Sequence, residues 1–345
     1  MNFIDVSGVG NSGKSAVVDL LRELSDFHVP EYWFEFDFIR VPGGLLDFRH
    51  CLLEDWSPIR SHAAYLEFIS LANKMGIDPA PWNLPGLLQS TSQRYDRRFN
   101  GQFRSLSYQF ADSFKVGSYT AEWPFNHLRQ NQASRFVKKV VCRLGFRKSM
   151  FTDVFLLDSK NFDQEARNYL ERLYRLIVPK RCDSVVFNNG FEPFNPRPGL
   201  DMLNARQIVV TRDPRDIYVS GLNSYNVSKK DQALLAFDND GLNKGFLSTD
   251  NLDMFVLRYR LYHEQLYSGD RKDVLHVKFE ELILDHEAHI KLILEFLDID
   301  PARHVRPNSC FIPAESSKNV GLWRDYTRQD EIRFIESQLS EYLVN

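Results

Sequence analysis

Residues Gly8–Ser15 have the spacing in this chain that most clearly indicates chemistry. They read G-V-G-N-S-G-K-S, which matches the phosphate-binding pattern G-x-x-x-x-G-K-[ST]. The strand-like run Phe3–Val6 precedes them. A helical pattern follows, with apolar residues at i, i+3, i+4 and i+7: Val17, Leu20, Leu21 and Leu24. Glycines let the backbone wrap around an anion, and the helix N-terminus adds partial positive charge to that of Lys14. The segment therefore predicts a site for a phosphate or a sulfate ester.

A second candidate anion site lies far along the chain. The strand-like run Ile208–Thr211 is followed by R-D-P-R-D-I-Y-V-S, in which Ser220 comes eight residues after Arg212. Arg212 would stand at the C-terminal end of a strand, where open α/β sheets bind ligands. Asp213 and Pro214 suit the cap and the first turn of a helix. An arginine fork and a hydroxyl can together hold one phosphate, although an ordinary strand-to-helix turn with surface arginines is the alternative.

Strand-like and helical patterns alternate along the chain. This order predicts an α/β fold, a P-loop-type, doubly wound, mostly parallel sheet with a helical insertion. We interpret residues 1–345 as one domain and residues 41–150 as an inserted, mainly helical lobe. The second strand is expected within Phe27–Ile39. Helices are expected over Asn161–Ile177, near Leu252–Leu266, and over Ser57–Met75, the last with Ile59, Ala63, Leu66 and Ile69 on one side.

Together, the two candidate anion sites resemble those of the PAPS-dependent sulfotransferases, where PAPS is 3′-phosphoadenosine 5′-phosphosulfate. Val274–Leu282 is similar to the family's strand that ends in an aromatic–acidic pair. Ser316–Arg324 is similar to its K-G-x-x-G-x-W loop, from which it departs at the first glycine. The resemblance covers about residues 1–40 and 180–345 and is closer to the glycan-modifying branch. It implies an enzyme that moves a sulfuryl group from PAPS to a hydroxyl-bearing acceptor, which the inserted lobe could bind, and that needs no metal.

The resemblance also implies which residues contact PAPS. The N-terminal loop would hold the 5′-phosphosulfate, and the two matched positions after the later strand would hold the 3′-phosphate. The C-terminal loop would close over the nucleotide. The predicted cofactor-binding residues are Gly10, Asn11, Ser12, Gly13, Lys14, Ser15, Ala16, Arg212, Ser220, Lys318, Gly321 and Trp323.

The catalytic base is where this chain departs most from the family. The cytosolic branch has a histidine after the strand that precedes the R-D-P segment, and here Asn189 takes that place and cannot accept a proton. The glycan-modifying branch uses a glutamate near the second strand instead. We therefore predict Glu35, or else Glu31, as the base, and both would share one strand face with Asp37. Lys14 would stabilise charge on the leaving phosphate.

Two other functions stay open on the sequence. A P-loop kinase or nucleoside triphosphatase would hold Mg²⁺ with Ser15 and an aspartate after a second strand, and Val154–Asp158 has the form of such a strand. Nothing in that mechanism calls for the pairing of Arg212 with Ser220. The other alternative is an inactive nucleotide-binding regulator, which Asn189 in place of the family's histidine would suit.

Composition limits the partners and the compartment. The net charge of −3 over 345 residues gives no sign of a nucleic-acid partner. No apolar run approaches the roughly 20 residues of a transmembrane helix. The four scattered cysteines favour a reducing, cytoplasmic location, although a chain trimmed from an anchored precursor would look the same. Residues 129–148 hold seven basic residues and no acidic one, which predicts an anionic acceptor site, peripheral membrane contact or a solvated helix face.

Overall fold

The computed structural model describes residues 1–31, 34–77, 94–122, 140, 151–191, 194–231, 247, 249–266 and 271–344. The chain forms two compact units. We call the one made of Met1–Ile39 and Val178–Asn345 the P-loop unit, and the one made of Arg40–Ile177 the helical unit. The predicted insertion, 41–150, lies inside the helical unit, which extends further along the chain to Ile177.

The described residues form strands and helices that we number in chain order. The strands are β1 (Asn2–Ser7), β2 (Phe27–His28), β3 (Lys115–Glu122), β4 (Phe151–Leu157), β5 (Ser184–Asn188), β6 (Arg206–Thr211) and β7 (Val274–Lys278). The helices are α1 (Lys14–Arg22), α2 (Leu45–Leu53), α3 (Pro58–Gly76), α4 (Tyr95–Arg98), α5 (Phe103–Asp112), α6 (Phe162–Arg175), α7 (Arg197–Leu203), α8 (Pro214–Asp231), α9 (Leu252–Leu266), α10 (Phe279–Leu284), α11 (His286–Leu297), α12 (Pro313–Ser316) and α13 (Gln329–Gln338). Short 3-10 turns cover Pro301–Arg303, Ser317–Asn319, Leu322–Asp325 and Ser340–Tyr342.

A five-stranded parallel sheet with the order β2-β5-β1-β6-β7 forms the centre of the P-loop unit. One of its faces packs through Val17 and Leu21 of α1, and the other through Val209 of β6 and residues of α8, α9 and α13. Parallel strands buried on both faces are typical of α/β proteins, so the predicted fold class is confirmed. Because the strands are parallel, the segments that follow β1, β5, β6 and β7 all leave from the same edge of the sheet.

The second strand of this sheet is much shorter than expected. β2 lies within the predicted range Phe27–Ile39 but ends at His28, so the prediction that Glu31, Glu35 and Asp37 share a strand face is wrong. Pro30 lacks the backbone N–H that would continue the ladder with β5. The rings of Phe34, Phe36 and Phe38 are buried while the residues between them are partly exposed, so the alternation survives without strand pairing. Tyr32 and Trp33, part of the same sequence pattern, lie outside the described residues.

In the helical unit, aromatic rings pack between α2, α3, α5 and α6. The helix expected over Ser57–Met75 forms as α3, and the Ser57 hydroxyl caps it by accepting the amide of Arg60 at 3.1 Å. Its buried side differs from the predicted one, because Tyr65 and Phe68 face the core while Leu66 is exposed. Large rings bury more apolar area than the aliphatic side chains and so decide which side of the helix faces inward.

The helical unit also contains the strand that the kinase alternative needed. β4 pairs antiparallel with β3 in a separate two-stranded sheet, with Val154 and Leu157 as its buried residues. Half-exposed strands of this kind are typical of antiparallel sheets. Asp158 therefore does not follow a strand of the sheet that carries the P-loop, and that prediction is corrected.

Two further observations concern membranes and metals. No helix among the described residues has the length and apolar character of a membrane span. Within the same part of the chain, no three Asp, Glu, His or Cys side chains come together as a metal-binding group. The basic stretch 129–148 lies outside the described residues except for position 140.

Candidate active site

The loop between β1 and α1 has the geometry of an anion-binding turn. The amide of Ser12 donates to the carbonyl of Val9 at 3.1 Å, and Asn11 and Gly13 both have positive φ angles, 64° and 84°. The ring of Phe279 occupies the position that a Cβ on Gly13 would take, so a side chain there is excluded on two grounds. Of the other predicted loop residues, Gly10, Asn11 and Ser15 are exposed and Ala16 is buried.

Lys14, Glu35 and Asn189 meet beside this loop. The ammonium of Lys14 lies 2.8 Å from Oε1 of Glu35, and Nδ2 of Asn189 donates to the same oxygen at 3.1 Å. The Oδ1 atom of Asn189 accepts the amide of Gly8 at 3.1 Å. Asn189 therefore joins the first residue of the P-loop to the predicted base. Glu31, the other candidate base, is exposed, and the contact with Lys14 is made by Glu35.

A buried aspartate holds the turn on which Asn189 stands. Oδ1 of Asp5 accepts the amides of Gly190 and Phe191 at 2.7 and 3.3 Å, and its other oxygen accepts Nε2 of Gln207 at 2.8 Å. Burial raises the pKa of the Asp5 carboxyl, and these hydrogen bonds oppose the rise. With a φ of 52°, Asn189 is in the left-handed region, which asparagine tolerates better than most residues.

Arg212 joins the second predicted anion site to the first. Its Nη1 donates to the carbonyl of Asn11 at 2.9 Å, and its Nη2 donates to the carbonyl of Asn319. The hydroxyl of Ser220 lies 3.4 Å from Oδ1 of Asn11, so both predicted 3′-phosphate contacts touch the same P-loop residue. The Nε of Arg212 and the Oγ of Ser12 are buried and have no hydrogen-bond partner among the described residues. Such polar atoms are costly to leave unsatisfied, which fits a site that binds an anionic ligand.

Phe279 and Glu280, at the start of α10, support the Arg212 side of this site. The ring centroid of Phe279 lies 5.0 Å from the guanidinium carbon of Arg212, and Oε1 of Glu280 accepts the amide of Asp213 at 2.9 Å. Burial lowers the pKa of the Arg212 guanidinium, and the carboxyls of Asp216, Glu280 and Asp213 oppose that shift. Phe279 thus contacts both the P-loop and Arg212, a role that sequence reasoning missed although it singled out the aromatic–acidic pair.

Asp216 connects the predicted closing loop to α8. Its carboxylate accepts the amide of Gly321 at 2.7 Å and that of Trp323 at 3.3 Å. The guanidinium of Arg215 lies 3.9 Å from the centroid of the Trp323 ring. Lys318, in the same loop, is exposed. Asp216 was not predicted as a site residue, and its position in the first turn of the helix that follows Arg212 is the sequence signal that could have found it.

Comparisons with solved structures give only distant similarities. The sulfotransferase domain from the curacin biosynthetic pathway is 12% identical, with a TM-score of 0.40, over 99% of this chain and 98% of that one. The sulfotransferase domain of the Synechococcus PCC 7002 olefin synthase is 14% identical, with a TM-score of 0.39, over 100% of this chain and 95% of that one. Retinol dehydratase, solved with androsterone and the inactive cofactor PAP, is 12% identical, with a TM-score of 0.33, over 99% of this chain and 80% of that one. TM-scores this low do not establish a shared fold, so the fold assignment rests on the strand order described above.

Sequence comparison is more local and more informative. No match was found among curated proteins. Residues 204–303 match the model of the Sulfotransferase family, a segment that contains Arg212, Ser220, Phe279 and Glu280. The predicted resemblance is supported to that extent, and the assignment to the glycan-modifying branch stays a prediction. The part of the chain that holds the second predicted anion site is thus similar in sequence to the sulfotransferase family.

Proposed function

We propose that this protein is a sulfotransferase that moves a sulfuryl group from PAPS to a hydroxyl of an acceptor. The observation that carries the proposal is the link between two anion sites, because the guanidinium of Arg212 donates to the P-loop carbonyl of Asn11. A donor with a phosphosulfate at one end of its ribose and a phosphate at the other needs two such sites side by side. The family match over residues 204–303 supports the same reading.

The residues that would hold the donor are those predicted from the sequence. The P-loop amides, Lys14 and Ser15 would bind the 5′-phosphosulfate, and Arg212 with Ser220 would bind the 3′-phosphate. The unsatisfied Nε of Arg212 and Oγ of Ser12 support this fit among the described residues. Lys318, Gly321 and Trp323 belong to the loop that Arg212 and Asp216 hold next to this site.

PAPS, when bound, supplies a sulfuryl group on a phosphate leaving group, and this chain supplies the acid–base and electrostatic parts of the reaction. Glu35 would accept the proton of the acceptor hydroxyl as the oxygen of that hydroxyl attacks sulfur and displaces the phosphate. Lys14 stabilises the negative charge that this phosphate gains. Asn189 positions Glu35 through its hydrogen bond to Oε1. A metal ion has no necessary role in this scheme.

The alternatives are weaker. The kinase reading relied on Asp158, which follows a strand of the two-stranded sheet instead of a strand of the P-loop sheet. The regulator alternative relied on the missing histidine, yet Asn189 contacts the carboxylate of Glu35, the proposed base. The acceptor is a molecule with a hydroxyl group, and an anionic one would suit the basic stretch 129–148. Free thiols at Cys51, Cys182 and Cys310 favour the proposed cytoplasmic location.

Calorimetry with adenosine 3′,5′-bisphosphate, the product nucleotide, tests the proposal. We expect it to bind without Mg²⁺ and more tightly than AMP. Arg212→Ala should lose most of this preference. Its affinity for the bisphosphate should fall by about 1.5–3 kcal/mol, or roughly 10- to 150-fold, relative to its affinity for AMP. Arg197→Ala, which removes a well-exposed arginine of α7, is the matched control and should leave the preference unchanged.

Two results would overturn the proposal. Equal affinity of the wild-type protein for AMP and the bisphosphate would remove the basis for a 3′-phosphate site. If ATP or GTP stabilised the protein only with Mg²⁺, and the bisphosphate did not stabilise it, the results would favour the kinase alternative.

A further inference from the structure

We propose that Glu280 is a positioning residue that couples the Arg212 anion site to protons, so that its carboxylate takes up a proton from solvent when a phosphate binds at Arg212. This inference rests on the proposed function, because it takes the ligand of Arg212 to be the 3′-phosphate of a nucleotide. No step predicted for the transfer reaction uses Glu280.

The Glu280 carboxyl is buried beside the turn that carries Arg212. Its side chain is only 3% exposed, and Oε1 accepts the backbone amide of Asp213, the residue that follows Arg212. The preceding residue, Phe279, lies against the guanidinium. Oε2 of Glu280 and Nε of Arg212 are both buried, and neither has a hydrogen-bond partner in the described part of the chain. An acid and a base are thus buried close together, each with one unsatisfied polar atom.

The charges around Glu280 make its ionisation sensitive to a ligand. Burial raises the pKa of the Glu280 carboxyl to about 7, and hydrogen bonds from the amides of Asp213 and Glu280 oppose this rise. Of the nearby charges, Asp213 adds to the rise and Arg212 opposes it. Asp213 is itself neutralised by Arg215, which binds both of its oxygens at 3.0 and 2.7 Å and contacts Glu336 at 2.8 Å. Arg212 is therefore the nearby cation that favours the ionised form of Glu280.

The other charged side chains on α10 and on the elements packed against it are largely engaged elsewhere or exposed. Lys278 and Glu281 form a half-exposed pair at 3.1 Å, and His289 of α11 contacts Glu281 at 3.6 Å. Glu315 and Lys318, on the neighbouring α12 and 3-10 turn, are exposed. Solvent screens such charges strongly, so they affect the buried carboxyl much less than Arg212 does.

A phosphate dianion at Arg212 would offset the positive charge that favours ionised Glu280. The pKa of the carboxyl would then rise further, and near pH 7.5 the group would take up a proton. By linkage, a ligand that raises the pKa of a group by about one unit binds about tenfold more weakly at a pH above both the free and the bound pKa than at a pH below both. Nucleotide affinity should therefore fall by about fourfold between pH 7 and 8.5.

Calorimetric titration in buffers of different ionisation enthalpy, at pH 7.5 and above, measures the protons taken up. At these pH values the phosphate groups themselves, with a second pKa near 6, are essentially ionised and contribute little. The wild-type protein should take up a sizeable fraction of a proton with adenosine 3′,5′-bisphosphate and almost none with AMP. Glu280→Gln, whose amide oxygen can still accept from Asp213, should lose both the uptake and the pH dependence. Glu281→Gln, the half-exposed neighbour, should keep them.

The outcomes separate the two proposals. If the bisphosphate does not bind, or binds no better than AMP, the proposed function fails and this inference fails with it. If the bisphosphate is preferred but uptake is absent, or is equal in the wild-type protein and Glu280→Gln, this inference alone fails. If Glu280→Gln does not fold, the wild-type comparison of bisphosphate with AMP still decides, because absent uptake there overturns the inference.

Discussion

The P-loop unit and the helical unit bury different kinds of side chain. In the P-loop unit the buried residues include eight acidic or basic ones: Asp5, Glu23, Arg212, Asp213, Arg215, Asp216, Glu280 and Glu331. In the described part of the helical unit, the buried polar residues are Ser61, His62 and Ser107, and no Asp, Glu, Lys or Arg is buried. The core of the helical unit is instead a cluster of phenylalanine and tyrosine rings.

This contrast separates chemistry from stability. Removing an ion from water costs several kcal/mol unless it is well paired, so buried charge is weak evidence for stability and better evidence for binding or catalysis. Packed rings each bury a large apolar area and add a favourable geometric term. We therefore expect substitutions near the C-terminal ends of the parallel strands in the P-loop unit to change function more than stability. Substitutions among the rings of the helical unit should change stability more than function.

Glu35→Gln should have the largest effect on function. The change keeps the shape of the side chain and its acceptor for Asn189 but removes its basicity, so sulfuryl transfer should fall by roughly 100- to 10,000-fold. Bisphosphate affinity should stay within a few-fold, as measured by calorimetry. Glu31→Gln, an exposed neighbour, is the matched control. Loss of turnover in Glu31→Gln but not in Glu35→Gln would move the base to Glu31.

Phe110→Ala tests the other side of the contrast. The Phe110 ring contacts Phe114 and Tyr169 with centroids 5.1 and 5.0 Å apart, so its removal leaves a cavity in the aromatic cluster. The free energy of unfolding should fall by about 3–5 kcal/mol in urea titrations. Leu66→Ala, at an exposed position of α3, should change it by less than about 0.5 kcal/mol. Equal stability of the two variants would contradict the assignment of this cluster as a core.

Lys14→Ala should abolish most transfer without unfolding the chain. Loss of a fixed positive charge beside the leaving phosphate should reduce turnover by about 100- to 1,000-fold, by comparison with removal of one oxyanion-hole donor. Circular dichroism and the melting temperature should change little, because the Lys14–Glu35 ion pair is partly exposed. A folded Lys14→Ala protein with full turnover would refute the sulfotransferase proposal.

The pH dependence of stability gives the smallest expected effect. Glu280 has a pKa of about 7 in the folded protein against an ordinary value of 4.5, so the folded state holds this proton more tightly than the unfolded chain. Its stabilising contribution is complete below about pH 4.5 and is lost as the pH rises through 7, by at most on the order of 3 kcal/mol. Urea titrations from pH 5 to 8 give the free energy of unfolding at each pH. This free energy should fall less steeply with rising pH in Glu280→Gln than in Glu281→Gln. Identical slopes would contradict the buried, ionisable state of Glu280.

Local patterns in the sequence predicted the parts of the fold that depend on near neighbours. The strand, glycine loop and helix that begin at Phe3 form as predicted, because each step depends on residues adjacent in the chain, although the helix ends at Arg22, before Leu24. α9 begins and ends at the predicted Leu252 and Leu266, and α3 lies within one residue of its predicted ends. The inward side of α3 was predicted wrongly, because only the tertiary structure decides which apolar side chains meet the larger rings of other helices.

For the same reason, the sequence alone determined the parallel α/β plan of the sheet and the two motifs that we predict to bind anions, but not how these motifs come together. Glu35 reaches Lys14 from an irregular segment with no ladder, and Asn189 and Glu280 arrive from the ends of β5 and beyond β7. Parallel pairing brings these strand ends to one edge of the sheet, a consequence of strand order that no local pattern contains. By local pattern, Asp158 was an equally plausible residue of this sheet. It follows an antiparallel strand in the helical unit instead, and only the strand pairing of the tertiary structure shows that this strand is not part of the P-loop sheet.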